Sequence, residues 1–210
     1  MTKNIINHIW FDFSDTIAFI GGDAHDKLRY KTYSEIVGRP VDENLIEEYK
    51  KLYEENHRSN SAVFHCLGKP AGFWSEQISF IDPLEIYRLA EPSIPRILGK
   101  IRQVVPVSIF SNIELSHVLP ALGIKISMFT NIISSGMFKR PKPALDGFYK
   151  LIELSELPPN KILYIGDSIG KDVRPAKQLG ILTGLMWDKS DEADYCFSKF
   201  EDILRILDVD

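Results

Sequence analysis

The sequence predicts an α/β protein: a parallel sheet with helices on both faces, and a helical module inserted after the first strand. Three observations carry this. An apolar, β-branched and aromatic run over residues 5–13 stops abruptly at an acidic cluster. After Pro92, strand-like runs alternate with segments whose apolar residues recur at helical spacing. Between the two lies a stretch of helical texture with no strand signal, rich in charge. Strand–helix alternation is the mark of βαβ units, and a run of helices inside it reads as an insertion.

Taken in order, residues 5–13 form the first strand, and Gly21-Gly22 marks a turn. Residues 42–55 and 73–81 carry apolar residues at helical intervals, with Asp42 as N-cap of the first. Gly68, Pro70, Gly72 and Pro83 punctuate this region into several short helices. Beyond it the reading is helix 94–103, strand 104–110, helix 114–122, strand 131–133, helix 144–156, strand 161–165, helix 172–179, strand 181–187 and a last helix 200–207. Gly180 ends its helix as a C-terminal cap. The implied organisation is a core of residues 1–20 and 91–210 with a helical cap at 21–90.

Bulk properties narrow the class of function. With 44% hydrophobic and 26% charged residues the chain reads as globular. A net charge of −4 with no basic cluster argues against nucleic acid, whose affinity comes mainly from neutralised phosphates. No apolar stretch is long enough to span a bilayer, because Asp12 and Asp15 interrupt the N-terminal run. Cys66 and Cys196 are too few for a disulfide framework, are expected to be small buried hydrophobes, and fit a cytoplasmic location. A monomer or homodimer acting on a small molecule is the expectation.

In an open parallel sheet, ligands bind beyond the carboxyl ends of the strands. The first strand runs into Asp12-Phe13-Ser14-Asp15-Thr16, a later one into Ser111-Asn112, and another into Gly166-Asp167-Ser168, with Asp172 opening the next helix. Lys142 stands in a proline-flanked loop before a helix. Three converging acids repel one another, and a hard divalent cation relieves that cost. Mg²⁺ suits carboxylate, carbonyl and phosphate oxygens. A lysine and a hydroxyl can orient phosphate oxygens, and an aspartate beside them can attack phosphorus.

In this order, Asp12 to Thr16, Ser111-Asn112, Lys142-Pro143 and Gly166-Asp167 with Asp172 resemble the four motifs of the haloacid dehalogenase superfamily. The stretch from Lys142 to Phe148 is similar to the branch that holds phosphoglycolate phosphatases and β-phosphoglucomutases. The resemblance covers residues 5–20 and 92–190, with the insertion where this branch places its cap. It implies a HAD-like Rossmann-type core, Mg²⁺ as cofactor and a small phosphorylated substrate. It assigns Asp12 as nucleophile and metal ligand, the carbonyl of Ser14 and Asp167 as further ligands, and Asp172 as a group that completes the metal site or holds Lys142. Ser111, Asn112 and Lys142 bind the phosphoryl group, and Thr16 orients the first loop.

One departure matters. Phosphatases of this superfamily carry a second aspartate, the acid and base for leaving group and water, where this chain has Ser14. A serine hydroxyl is a poor general acid near neutrality. Its carbonyl would still serve a metal. Three readings stay open: a slow phosphatase, a long-lived phosphoenzyme, or rescue by Asp15 or a cap acid. Dehalogenase-type members have tyrosine at this position and lack the acidic metal site. Phosphonatase-type members have alanine there and use a cap lysine, for which Lys50 and Lys51 are the candidates, although both lie in a solvated-looking run.

The second functional hypothesis is a catalytically weak relative that binds a phosphorylated ligand or a protein. Within the insertion, His57, His65 and Cys66 fit no metal spacing. Phe73, Trp74 and Phe80 read as cap core, and Arg29 and Arg58 as solvated helix residues.

Overall fold

Ile9, Trp10 and Phe11 are completely buried, which fits an apolar run with no polar alternation: such a strand must be covered on both faces. The computed structural model describes residues 6–207. In it β1 (His8–Phe11) is a central strand, paired in parallel with β4 (Val107–Ser111) on one side and β6 (Ile162–Gly166) on the other. The predicted first strand is longer than this, and its first residue, Ile5, lies outside the described residues. The six-stranded sheet is completed by β5 (Ile132–Ser134), β7 (Leu182–Met186) and β8 (Tyr195–Phe197), in the order β5-β4-β1-β6-β7-β8, all parallel. The predicted α/β class is the observed one.

Connections supply the helices. They are α6 (Ile94–Arg102), α7 (Val118–Ala121), α8 (Asp146–Ser155), α9 (Arg174–Gln178) and α10 (Asp202–Arg205). The helix predicted over 114–122 shrinks to α7. The Glu114 carboxylate accepts the backbone N–H groups of Leu115 and Ser116 at 2.9 and 3.0 Å, holding that segment in a turn. Pro106 lacks an N–H, and β4 begins only after it. Gly180, at φ 77°, follows α9 as the sequence predicts.

A second, two-stranded antiparallel ribbon joins β2 (Ala18–Ile20) to β3 (Tyr87–Leu89). These strands are too short for a periodicity to reveal them. Five helices run between them: α1 (Asp23–Val37), α2 (Glu43–Glu55), α3 (Asn60–Cys66), α4 (Phe73–Ile78) and α5 (Pro83–Ile86). Asp42 caps α2 by accepting the Leu45 N–H at 2.8 Å, as expected. Gly22, at φ 77°, sits at the predicted turn.

The insert has an aromatic centre. Phe64 stacks on Trp74 at 5.3 Å between ring centroids, and Tyr33 and Tyr49 meet edge to face at 5.2 Å. Phe80, expected in this core, is 80% exposed, beyond the last turn of α4. Arg29, expected in solvent, is largely covered. Its guanidinium lies over Tyr30, Tyr49 and Tyr53 and pairs with Asp26 at 2.9 Å. Both cysteines are exposed rather than buried, because Cys66 ends a short helix and Cys196 faces outward on the edge strand β8.

On the far side of the sheet, Phe110 is enclosed by Phe138, Phe148 and Tyr164, with its ring pressed onto Gly147 of α8. A Cβ on Gly147 would overlap that ring, which has no room to retreat. Gly147→Ala is therefore expected to destabilise the fold by about 1–3 kcal/mol through overpacking, despite alanine's better helix propensity. The urea midpoint reads this out. A variant as stable as wild type would show that Phe110 yields.

Candidate active site

Asp12 stands one residue past the end of the central strand, where its backbone N–H still bonds to Ile165 O at 2.8 Å. Ser111 ends β4 beside it, and Gly166-Asp167 ends β6 on the other side. Sheet order alone thus brings the predicted groups to one edge. Gly166 is required there, since a Cβ would come within 2.5 Å of the Asp172 side chain.

Lys142 is the hub. Its Nζ lies 2.8 Å from Asp12 Oδ1, 2.8 Å from Asp172 Oδ1 and 2.7 Å from the Tyr164 hydroxyl, which uses all three ammonium N–H groups. Such an ammonium, almost without solvent contact, is tolerable only because it is fully paired. Asn112 sets its backbone: Asn112 Oδ1 accepts the Lys142 N–H at 2.9 Å, and Asn112 Nδ2 donates to Lys142 O at 3.3 Å. Nδ2 also donates to Ser59 Oγ at 3.0 Å, and Oδ1 accepts the Ser135 hydroxyl. Asn112, expected as a phosphate contact, thus has its amide taken up within the protein and positions Lys142. Ser111 Oγ accepts the Ile113 N–H at 3.2 Å, leaving its own O–H to donate.

A second lysine, not singled out by the sequence reading, enters from the opposite side. Lys171 Nζ lies 3.3 Å from Asp12 Oδ2, 3.4 Å from Asp167 Oδ1 and 4.0 Å from Asp172 Oδ2. Its spacing of four from Asp167 on a helical turn was the available signal. That turn, Ile169–Val173, is a π-helical one, so Asp172 precedes α9 instead of opening it.

The charges settle one another. Burial would raise Asp12, but Lys142, Lys171 and the Phe13 N–H at 2.7 Å outweigh it and hold it below the usual carboxylate range. Burial pushes Asp172 up to about 6 against the pull of Lys142. Burial also raises Asp167, against Lys171. Burial alone would lower Lys171, yet Asp167, Asp12 and Asp172 lift it well above the ordinary lysine value.

The first loop closes with Thr16 Oγ1 donating to Asp167 at 3.5 Å. The Ser14 hydroxyl lies beside the Tyr87 phenol of β3. Asp15 sits at φ 59°, its carbonyl held by Trp187 Nε1 at 2.9 Å and its carboxylate accepting the Ile20 N–H at 3.1 Å. Burial raises its pKa as well.

Oxygens of Asp12, Asp167 and Asp172 lie within 4.8 Å of one another, the only grouping of this kind among the described residues. Two oxygens on opposite sides of one Mg²⁺ are about 4.2 Å apart. Asp12 Oδ2, although buried, accepts no hydrogen bond. The residues therefore fit a hard divalent ion with little adjustment. His57, His65 and Cys66 form no such group; His65 Nδ1 meets Lys69 O at 3.0 Å instead. Lys50 pairs with Glu47 on an exposed helix face.

Above these groups lies a cavity of about 50 Å³, lined on the sheet side by Asp12, Asn112, Lys142 and Lys171 and on the helical side by His25, Arg58, Asn60 and Trp74. It has room for a few waters or one compact polar group. Arg58, expected to be solvated, is 73% exposed and paired with Glu54 at 2.9 Å, with one flank on this cavity. His25 Nε2 meets Asn60 Nδ2 at 3.1 Å, so it is the acceptor there and carries its proton on Nδ1.

Burial lowers both His25 and His8 to about 4. Unfolded histidine takes up a proton near 6.5 and these folded ones only near 4, so between those values the unfolded state binds the proton. Each thus weakens the fold as pH falls through that window, and favours it above. In an NMR titration from pH 8 to 5 these two imidazoles are expected to stay neutral. A midpoint near 6.5 for either would show that it is not sealed as described.

The chain resembles known proteins in part of its sequence and in its fold. Residues 107–185 match the haloacid dehalogenase-like hydrolase family model, a span from β4 to β7 that holds Ser111, Lys142, Asp167 and Asp172 but not Asp12. A glyceraldehyde 3-phosphate phosphatase of Methanocaldococcus jannaschii is 30% identical over 86 residues, 38% of each chain. The match thus spans well under half of that relative. A HAD phosphatase of Thermococcus onnurineus superposes with a TM-score of 0.69 at 19% identity, over 96% of this chain and 98% of its own. A protein from Haemophilus somnus, described as a predicted phosphoglycolate phosphatase, gives 0.63 at 18% over 96% and 98%. At these identities the structural likeness shows the fold. The haloacid dehalogenase-like signature thus covers residues 107–185, and over its described length the chain shares the fold of these structures.

Proposed function

We propose that this protein is a Mg²⁺-dependent phosphatase of a small phosphorylated metabolite, working through an aspartyl-phosphate at Asp12. The observation that carries the reading is the Asp12 carboxylate itself: buried, held ionised between Lys142 and Lys171, with an oxygen that accepts no hydrogen bond. A carboxylate so placed is a nucleophile without a proton to lose. Asp12, Asp167 and the Ser14 carbonyl would hold the ion, with Asp172 beside them. When bound, Mg²⁺ supplies positive charge shared between these oxygens and the phosphoryl group.

In the first step an Asp12 oxygen bonds to phosphorus, and the ester P–O bond breaks with its electron pair on the leaving oxygen. In the second, water attacks phosphorus, the Asp12–phosphorus bond breaks, and inorganic phosphate leaves. Lys142 fixes the orientation of Asp12, and Ser111 has a free O–H for a phosphoryl oxygen. The leaving oxygen needs a proton and the water must lose one. Ser14, a hydroxyl that neither gains nor loses a proton readily near neutrality, is suited to neither task, so turnover should be slow and should favour good leaving groups.

The helices of residues 21–90 act as a cap over a core of residues 1–20 and 91–210, and the cavity between them selects the substrate. Its size favours a short monoester over a nucleotide. The substrate in the name of the M. jannaschii relative, glyceraldehyde 3-phosphate, is of that kind. Ser14 also favours a second reading, a weakly active relative that binds its phosphorylated ligand and holds it.

The test is to incubate the protein with Mg²⁺ and acetyl phosphate or p-nitrophenyl phosphate, following phosphate release and acid-stable labelling. Turnover supports the phosphatase. Labelling without turnover supports a stable phosphoenzyme. Neither, with none gained on Ser14→Asp, would move the reading to ligand binding.

A further inference from the structure

The two lysines of the site divide the carboxylate oxygens between them. Lys142 takes the Oδ1 atoms of Asp12 and Asp172. Lys171 takes Asp12 Oδ2, Asp167 Oδ1 and, at longer range, Asp172 Oδ2. Lys171 therefore stands on the same acids that fit a divalent ion. A Mg²⁺ bonded to Asp12 and Asp167 would draw on the same carboxylate charge that Lys171 now pairs with, placing two cations on one set of oxygens in a site with little water. The two cations therefore compete for the same acids. Lys171 also has somewhere to go: it lines the cavity, and its four methylenes leave the ammonium free to turn away from Asp167. Its backbone is fixed independently, by an N–H bond to Ser168 Oγ at 3.2 Å.

We propose that Lys171 is a resident cation of the carboxylate cluster, which a divalent metal must displace, so that metal affinity is set by competition with the protein's own lysine. The inference rests on the metal reading above. Lys171 keeps the three acids together when metal is scarce, and weakens metal binding in return. Once displaced, its ammonium lies in the cavity beside the phosphoryl position.

The experiment is calorimetric titration of Mn²⁺ and Mg²⁺ into wild type and Lys171→Met, which keeps length and removes charge, with folding checked by circular dichroism. The expected result is binding at least about tenfold tighter in Lys171→Met. Equal or weaker binding overturns the inference and leaves the metal reading standing. Binding by neither protein overturns both. Should Lys171→Met fail to fold, the wild type answers through lysine acetylation read by mass spectrometry. Lys171 is expected to be modified faster with saturating Mg²⁺ than without, and an unchanged rate overturns the displacement.

Discussion

Asp12→Asn is expected to remove turnover of acetyl phosphate and p-nitrophenyl phosphate, by about 10⁴-fold or more, together with all acid-stable labelling. The substitution keeps the shape of the side chain and the Phe13 N–H bond to Oδ1, and deletes the charge that would attack phosphorus in the proposed mechanism. It also leaves Lys142 and Lys171 one carboxylate short. Lys142 retains Asp172 and Tyr164, and Lys171 retains Asp167, so the fold should survive while losing some stability. Melting temperature with and without Mg²⁺ separates the two effects. Labelling that persists in the folded variant would place the nucleophile elsewhere and sink the aspartyl-phosphate mechanism.

The opposite sign is expected for Ser14→Asp. A carboxyl group at this position would supply the proton that a leaving alkoxide needs and accept one from the attacking water, a pair of tasks worth about 10²–10⁴-fold. Tyr87, beside the Ser14 hydroxyl, has an O–H that could hold the new carboxylate in place. The gain should be largest for alkyl phosphates and smallest for acetyl phosphate, whose leaving group needs little help. A gain that is uniform across leaving groups would mean that the new residue acts by charge rather than by proton transfer. No gain at all would mean that another group already performs the step, with Asp15 the first to examine.

Much of this site was legible because a parallel sheet converts chain order into proximity. Asp12, Ser111, Lys142, Asp167 and Asp172 are far apart in sequence, yet each follows a buried strand or precedes a helix at the same edge. What stayed hidden depends on side-chain direction. Lys171 reads as an ordinary helix lysine until the π-helical turn rolls it onto Asp12 and Asp167. Tyr164 reads as strand core until its hydroxyl meets Lys142. Asn112, expected to meet a ligand, lines the cavity and also holds the backbone that carries Lys142, a role its sequence position does not reveal. The ribbon β2–β3 and the edge strand β8 are three-residue elements held by tertiary partners, below the length at which alternation can be counted.

The ribbon has a mechanical consequence. The chain leaves for the five helices along β2 and returns along β3, so both covalent connections to them pass through one narrow neck, beside side-chain contacts of Ser59 with Asn112 and Ser75 with Glu114. A body suspended by two adjacent strands can rock about them without lengthening either connection. The neck is rooted in the loop that carries Asp12: Asp15 N–H bonds to Ala18 O at 2.7 Å, and Ala90 N–H bonds to Ile17 O at 3.0 Å. A rocking of the helices would therefore pull on Asp15 and Ser14, three and two residues from Asp12, as well as on Asn112 and Glu114 through Ser59 and Ser75. Whatever seats itself beneath the helices also tensions the loop that would react with it.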